Sequence, residues 1–195
     1  MTKDFNILVK KINSFRNRYY LYKIIEGFFI TLFFVLNVFT TFSILEYFVY
    51  LDSNIRKFIF YGFILFVSLL TIQFMIFPLL KMLDIIKPID IKGSSKFIQN
   101  HFSDIKDKLL NIIELSEIND PNYSTDILKA SIDQKINDIS IFDFRNAVKF
   151  KKLKVVVTYF LFSILVSISL YFINSSLYTD PLERIVHYKE TFVKP

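Results

Sequence analysis

Three long uncharged runs dominate the pattern of hydrophobic and polar positions along this chain. They comprise 19 residues between Glu26 and Glu46, 23 residues over 58–80, and 24 residues over 155–178. Each run approaches or exceeds the roughly 20 apolar residues that cross a bilayer as a helix. The pattern therefore predicts transmembrane helices at 24–50, 58–80 and 155–178, with a short turn at 51–57. Buried helices of a soluble protein would be shorter and interrupted by charges.

The segment before the first run has a different, helical periodicity. Phe5, Leu8, Ile12 and Phe15 recur at spacings of three and four, and the basic residues lie mostly elsewhere. This pattern predicts a basic amphipathic helix over 1–23. It is compatible with a helix lying on the membrane surface, to which we assign these four residues, and equally with one packed against the middle segment or a partner.

The middle segment, 81–154, is polar and carries 13 basic against 11 acidic residues. Its pattern predicts a short helix starting at Ser94 or Ser95, a second helix from about 104 to 117, a loop at 119–124, and a third helix capped by Ser124 or Thr125. Such a small helical hairpin is near the lower limit for an independent core. We therefore predict that it needs the membrane surface, the N-terminal helix or a partner to complete its burial. Partner docking is assigned to one apolar face, formed by Ile105, Leu109, Ile112, Leu128 and Ile132.

The distribution of Lys and Arg predicts the orientation. Basic residues flank the first run on its N-terminal side and both ends of 81–154, whereas the turn 51–57 has two and the tail 179–195 is balanced. The predicted fold is an all-α membrane protein: three transmembrane helices, an N-terminal amphipathic helix and a small cytoplasmic helical hairpin between spans two and three. The predicted location is the bacterial inner membrane, with the N-terminus cytoplasmic and the C-terminal tail periplasmic.

Composition narrows the chemistry. The chain has a mean hydropathy of +0.41 and no Cys, which removes disulfides and thiolate sites, and its three Gly cannot form a Gly-rich phosphate loop. By the predicted topology His101 and His187 lie on opposite sides of the membrane. We therefore predict no catalytic residue, cofactor or metal site, and not an enzyme. The net charge of +6 fits anionic lipid, so the predicted partners are the bilayer and other integral membrane proteins, with neither nucleic acid nor a small-molecule substrate.

Two polar residues inside the predicted spans are the remaining candidates. Asn37 lies at the centre of the first span and Gln73 in the inner half of the second. We predict that each hydrogen-bonds another helix, at about 0.6–2 kcal/mol per contact. An ion or substrate pathway is the weaker alternative, because it normally requires ionisable groups at mid-depth.

Several stretches carry a resemblance to a known family. They include "KKINSFRNRYYLYKIIEG", "FIQNHFSDIKDKLLNIIEL" and "LYTDPLERIVHYKETFVKP". In these the chain resembles the N-terminal membrane region of a family of large inner-membrane proteins of Bacteroidota, known as a domain of unknown function. The resemblance implies three N-terminal spans followed by a long extracytoplasmic region rich in coiled coil. It implies no functional residues.

Three functions are compatible with these observations. The first is a non-enzymatic anchor, accessory or scaffold subunit of a larger envelope complex. The second is a transport or channel component. The third is a cytoplasmic-face regulator of a membrane machine, for which Leu109→Asp or Leu128→Asp is predicted to break a partner contact and leave insertion intact.

Overall fold

The computed structural model describes residues 3–102, 104–105, 107–117, 125–190 and 192, with the side chains of 125–127 excepted. These residues form helices and turns, and no strand occurs among them. The α-helices are α1 (Lys3–Val49), α2 (Ser53–Thr71), α3 (Phe77–Met82), α4 (Ile91–Gln99), α5 (Lys108–Ser116), α6 (Thr125–Ile139), α7 (Lys151–Ile173) and α8 (Ser176–Val186). A π-helical segment, Ile72–Ile76, joins α2 to α3, and a 3₁₀ turn, Phe144–Ala147, precedes α7.

Three helices are long and apolar enough to cross a membrane. They are Lys3–Val49, the continuous run Ser53–Met82, and Lys151–Ile173. Large apolar side chains along them are exposed, among them Phe58 at 79% and Phe172 at 83%. Such exposed apolar surface is typical of a membrane protein, and it is in line with the three predicted spans.

The chain divides into two compact units. Unit 1 comprises Met1–Tyr22 and Pro78–Lys149, and unit 2 comprises Lys23–Phe77 and Phe150–Pro195. The backbone therefore passes between the units three times, at 22/23, 77/78 and 149/150. Each unit has its own buried residues.

The core of unit 1 begins with the N-terminal part of α1. Phe5, Leu8, Ile12 and Phe15 are only 1–5% exposed. The assignment of this face to the membrane surface is wrong, because side chains covered by protein cannot contact lipid. The segment predicted as a helix over 1–23 is helical from Lys3 onwards, and it continues without a break into the first membrane-length segment as part of α1.

The predicted docking face of the middle segment is buried in the core of unit 1. Ile105, Leu109 and Ile112 are fully buried, Ile132 is 7% exposed, and Leu128 is half-buried. α5 packs against α4 and α6, and the buried residues of the segment also include Ile98, Ile113, Ile136, Ile139, Phe144 and Val148. This face is therefore not available to a partner, because unit 1 has already covered it. The sequence correctly marked the face as apolar but assigned it the wrong neighbour.

Helix starts in unit 1 also differ from the prediction. α4 starts at Ile91, not at Ser94 or Ser95, because the Asp90 carboxylate caps it by accepting from the Gly93 N–H at 2.9 Å. α5 starts at Lys108, a few residues later than predicted, and the described residues 104, 105 and 107 before it are in turns. The predicted loop at 119–124 and the capping residue Ser124 lie outside the described residues.

The third span and the tail of unit 2 differ as well. α7 ends at Ile173 rather than continuing to 178, because Asn174 takes an extended conformation with φ −156° and ψ 102°. The Asn174 carboxamide oxygen then accepts the Ser176 N–H at 3.1 Å and starts α8. Residues 179–186 of the predicted tail are thus helical, and α8 packs against α2 and α7.

The π-helical segment marks a close approach of two helices in unit 2. A Cβ at Gly27 of α1 would lie 2.1 Å from the Phe74 carbonyl oxygen, so only glycine permits this contact. Pro78 has no N–H to donate to the carbonyl one turn before it, which favours a local widening of the helix. The Phe77 N–H accordingly donates to the Ile72 carbonyl, five residues earlier.

Candidate functional site

The most unusual chemistry in unit 2 is a buried ion pair at the turn between α1 and α2. The Arg56 Nε lies 3.0 Å from the Glu46 Oε1, and the two side chains are 4% and 0% exposed. The two residues flank the turn, so the antiparallel course of the helices brings them together. Removal of two charges from water is costly, and this pair offsets the cost only through close geometry and further hydrogen bonds.

Those further hydrogen bonds come from the turn itself. The Leu51 N–H donates to the second Glu46 oxygen, Oε2, at 3.1 Å. Tyr50 has a φ of 55°, a left-handed conformation that is uncommon for a residue with a side chain. The Glu46 carboxylate therefore fixes the backbone of a strained turn as well as the position of Arg56.

The segment after α8 covers the arginine. Arg56 Nη1 donates to the Glu190 carbonyl at 3.3 Å, and the Phe192 ring centroid lies 5.0 Å from the guanidinium carbon. Beside them the Ser53 hydroxyl donates to the Tyr188 carbonyl at 2.6 Å. Ser53 and Arg56, both in α2, thus hold Tyr188, Glu190 and Phe192 against the turn.

A second arginine reinforces this arrangement from α8. Arg184 is 8% exposed, and its guanidinium carbon lies 3.9 Å from the centroid of the Tyr50 ring. Asp180 is 3.9 Å from the same guanidinium, one turn earlier on α8. Arg184 of α8 therefore packs on the ring of Tyr50, the strained residue of the turn. We call Glu46, Tyr50, Arg56 and Arg184 the turn cluster.

The ion pair of the turn cluster is shielded from solutes. Both members of the ion pair are almost fully covered, so a solute has no access to the carboxylate. A pair of this kind is worth most when both partners are present, because loss of one leaves a buried charge uncompensated. The arrangement ties α1, α2 and α8 together at one end of unit 2.

A row of small polar residues lies between α1 and α7. The Asn37 amide donates to the Ser163 hydroxyl at 2.9 Å and to the Phe33 carbonyl at 2.7 Å, so both of its N–H groups are used. Thr40 and Ser167 form a second pair, with their hydroxyls 3.2 Å apart. Asn37 therefore bridges two spans, in the way that its position in the sequence predicts. We call these four residues the α1–α7 seam.

The other predicted polar contact is not formed. Gln73 is exposed in the π-helical segment, and it makes no hydrogen bond to any other described residue. The prediction that Gln73 bonds another helix is therefore wrong for the part of the chain that the structure describes. Its segment contributes to packing through the backbone of Phe74 instead.

Sequence reasoning missed the turn cluster, although a signal for it exists. Asn37, Thr40, Ser43 and Glu46 recur at every third position of α1, which predicts one polar stripe on an apolar helix. An acid at the end of that stripe and Arg56 just beyond the turn are opposite charges at matching positions of a helical hairpin. Charged residues are common at the ends of transmembrane helices. The positions of Glu46 and Arg56 alone therefore do not indicate an ion pair.

Among the described residues, neither histidine forms part of a polar cluster. His101 lies against the Phe102 ring, and the His187 ring nitrogen Nδ1 is 3.1 Å from the Glu183 carbonyl. Among the described residues, no group of three or more His, Cys, Asp or Glu is placed to hold a metal ion.

Comparison of the chain with models of protein families, with curated proteins and with solved structures finds no match.

Proposed function

We propose that this chain is a non-enzymatic anchor or accessory subunit of a larger protein complex in the bacterial inner membrane. In this proposal unit 2 is the membrane part, and unit 1 is the cytoplasmic module that a partner recognises. The N-terminus and residues 81–149 face the cytoplasm, and α8 faces the periplasm, in accordance with the positive-inside rule.

One observation carries the proposal: the two buried carboxylates among the described residues of the membrane unit are each paired with a basic side chain. Glu46 and Arg56 are paired at 3.0 Å, and at the other end of the same apolar run Glu26 lies 2.7 Å from Lys23. Ionisable groups that serve transport or catalysis in a membrane usually line a cavity or path. The Glu46–Arg56 pair instead joins α1 to α2, and carboxylates paired within the protein favour a structural role for this part of the molecule.

The construction of unit 1 supports the same proposal. Two separate chain segments form it, and it connects to the membrane-length helices at three points of the backbone. A module tethered in this way cannot diffuse from the bilayer. It is suited to presenting a fixed surface to another protein at the membrane.

The orientation can be tested because the chain contains no Cys, so that single cysteines report unambiguously. Asn111 and Lys189 are exposed positions in unit 1 and after α8. In intact spheroplasts, a membrane-impermeant maleimide is expected to label Lys189→Cys at once and Asn111→Cys only after lysis. The reverse order of labelling would overturn the orientation.

The function itself is tested by purification of the tagged chain from its native membrane in a mild detergent. We expect another integral membrane protein at a fixed molar ratio. Leu109→Asp, which places a charge in the core of unit 1, is expected to lose that protein but remain in the membrane. Asn111→Asp, an exposed change on the same helix, is expected to retain it. A chain that purifies alone in all three forms contradicts the proposal.

A further inference from the structure

A groove on unit 1 combines positive charge with exposed apolar side chains. It lies between one edge of α1 and the turn that follows α6, and it has a volume of about 420 Å³. Ile7, Lys11 and Ser14 recur on that edge of α1 at spacings of three and four, with Lys10 beside them. The facing side is formed by Ser140, Ile141, Phe142, Asp143 and Arg145. Both sides belong to unit 1, and none of these residues is buried in its core.

The polar part of the groove has an excess of positive charge. Its one carboxylate, Asp143, is neutralised by Arg145, with Nε 3.0 Å from Oδ1 and Nη2 2.8 Å from Oδ2. Lys11 donates to the Ser140 carbonyl at 2.6 Å, a contact that uses one of its three hydrogens and leaves its charge uncompensated. Neither Lys10 nor Lys11 forms an ion pair with another described residue. Two ammonium groups are therefore open to an anionic ligand.

The apolar part of the groove is its rim. Ile141 is 83% exposed in the turn after α6, and Ile7 is 45% exposed on the facing edge of α1. Scattered apolar side chains are normal on a protein surface and need no explanation. Here, however, two of them border one groove, with the half-buried Phe142 between the charged groups and the core. The groove therefore offers apolar and cationic contacts to the same ligand.

We propose that this groove docks a short acidic segment of a partner protein. A carboxylate of that segment pairs with Lys10 and Lys11, and a neighbouring apolar side chain packs against Ile141. Apolar contact beside complementary charge is the usual composition of a protein interface, in which the charges determine the choice of partner. This inference rests on the proposed function, which gives unit 1 a protein partner, and it adds the chemistry that the partner presents.

The groove is less suited to the other anionic macromolecules of a cell. A nucleic acid is held through many phosphates at once, and two open ammonium groups are few for that purpose. Acyl chains are remote along α1, because Ile7 and Gly27 are 20 residues apart on one unbroken helix, or about 30 Å at 1.5 Å per residue. A peptide segment needs only one or two charges and a small apolar surface, which this groove provides.

The first test uses the full chain in its native membrane, with a photoreactive benzophenone amino acid at a single position. Position 141 reports the rim, and position 111, exposed on α5, is the matched control. After illumination, mass analysis identifies the peptide that is joined to each position. We expect position 141 to be joined to one segment of another protein that contains more acidic than basic residues. Position 111 is not expected to be joined to that segment.

The second test measures binding of that segment, made as a synthetic peptide, to the full chain in nanodiscs. Lys10→Gln is expected to weaken binding by up to about fivefold, because it removes one exposed ion pair. Ile141→Ala is expected to weaken it about tenfold, because it removes apolar surface that the complex buries. Two exposed changes elsewhere in unit 1, Lys108→Gln and Ile85→Ala, are the matched controls and are expected to leave binding unchanged.

A charge exchange separates recognition from folding. Lys10→Glu is expected to abolish binding of the acidic peptide, and replacement of one acidic residue of the peptide by lysine is expected to restore it. Rising salt concentration should weaken the original complex, since exposed ion pairs are screened. Binding that is indifferent both to salt and to Lys10→Glu would overturn the inference.

The crosslinking results also distinguish this inference from the proposed function. Products at position 141 that contain a basic or uncharged segment, lipid alone or nucleic acid overturn the inference. A partner that copurifies but is never joined to position 141 overturns it too and leaves the accessory role intact. A chain that purifies alone, yet is joined at position 141 to an acidic segment of a soluble protein, contradicts the accessory role and supports the groove.

Discussion

Glu46 and Arg56 meet at 3.0 Å across the turn between the first two membrane-length helices, with side chains that are 0% and 4% exposed. The carboxylate also accepts a backbone N–H from the turn, and the arginine reaches the backbone of Glu190. One pair of charges thus connects α1, α2 and the segment after α8. It is the most deeply buried ion pair among the described residues of unit 2.

Loss of either partner is expected to destabilise unit 2. Arg56→Ala leaves the Glu46 carboxylate buried without its counter-charge, and breaking such a pair costs about 3–5 kcal/mol. Lys57→Ala, an exposed change at the next position, is expected to alter stability by less than about 0.5 kcal/mol. Both effects can be measured as changes in the free energy of unfolding of the chain in bicelles. Similar values for the two variants would show that the pair contributes little.

The two glycines within the apolar runs are expected to respond oppositely to alanine. Gly27→Ala places a Cβ 2.1 Å from the Phe74 carbonyl oxygen, and overpacking of this kind costs about 1–3 kcal/mol. Gly62→Ala meets nothing within 4 Å and is expected to stabilise α2 by up to about 1 kcal/mol. Thermal unfolding in detergent compares them. Equal effects would refute the close approach of α1 to the π-helical segment.

The α1–α7 seam is expected to show a measurable coupling energy. In a double-mutant cycle, Asn37→Ala and Ser163→Ala should couple by about 0.6 kcal/mol, with an upper limit near 1.7 kcal/mol. Gln73→Ala combined with Ser163→Ala is the control, and no coupling is expected because Gln73 is exposed and contacts no described polar group. An additive result for the first cycle would exclude the interhelical hydrogen bond.

Leu109 is expected to report on the core of unit 1. Its side chain is fully buried, so Leu109→Ala should cost about 2–5 kcal/mol. Asn111→Ala, on the exposed side of α5, should change stability by less than about 0.5 kcal/mol. Native-state hydrogen exchange of the α5 amides in the full chain measures the loss of stability in each of the two variants. Protection that is unchanged by Leu109→Ala would indicate that this face is not packed.

Acid is expected to act on the contact between Asp143 and Arg145. The Arg145 guanidinium beside Asp143 holds the pKa of that carboxyl below its usual range, mainly through the side-chain hydrogen bond. The stabilising contribution is therefore present above the ordinary aspartate pKa and is lost as the pH falls through the lowered value. Carboxyl ¹³C NMR should show that Arg145→Gln moves the Asp143 titration back to higher pH. An unchanged titration would exclude the contact in solution.

The three membrane-length helices were predictable because the length of an uncharged run can be read directly from the sequence. The core residues of unit 1 were predictable in part. Helical periodicity placed Ile12 and Leu109 on apolar helix faces, but it cannot identify what covers such a face. One face was assigned to lipid and the other to a partner, and both are buried within unit 1. The sequence left packing of the N-terminal segment against the middle segment as one of the alternatives, and the structure places both segments in unit 1.

Three features of unit 2 escaped prediction for different physical reasons. The Glu46–Arg56 pair depends on how two helices meet at a turn, and Gly27 depends on how near a neighbouring carbonyl lies. The end of α7 at Ile173 was hidden because the uncharged run continues to Tyr178, beyond the break at Asn174. Hydropathy records only how apolar a residue is, and these features are set by backbone conformation and packing.

The most direct test of the central claim is the composition of particles excised from native membranes with an amphipathic polymer, without detergent. If the chain is an accessory subunit, mass analysis should find it with another integral membrane protein at one molar ratio, and that ratio should stay constant as the expression of the chain is raised modestly from its natural level. Particles that contain the 23.2 kDa chain alone, or with proteins whose ratio varies with expression, would contradict the account.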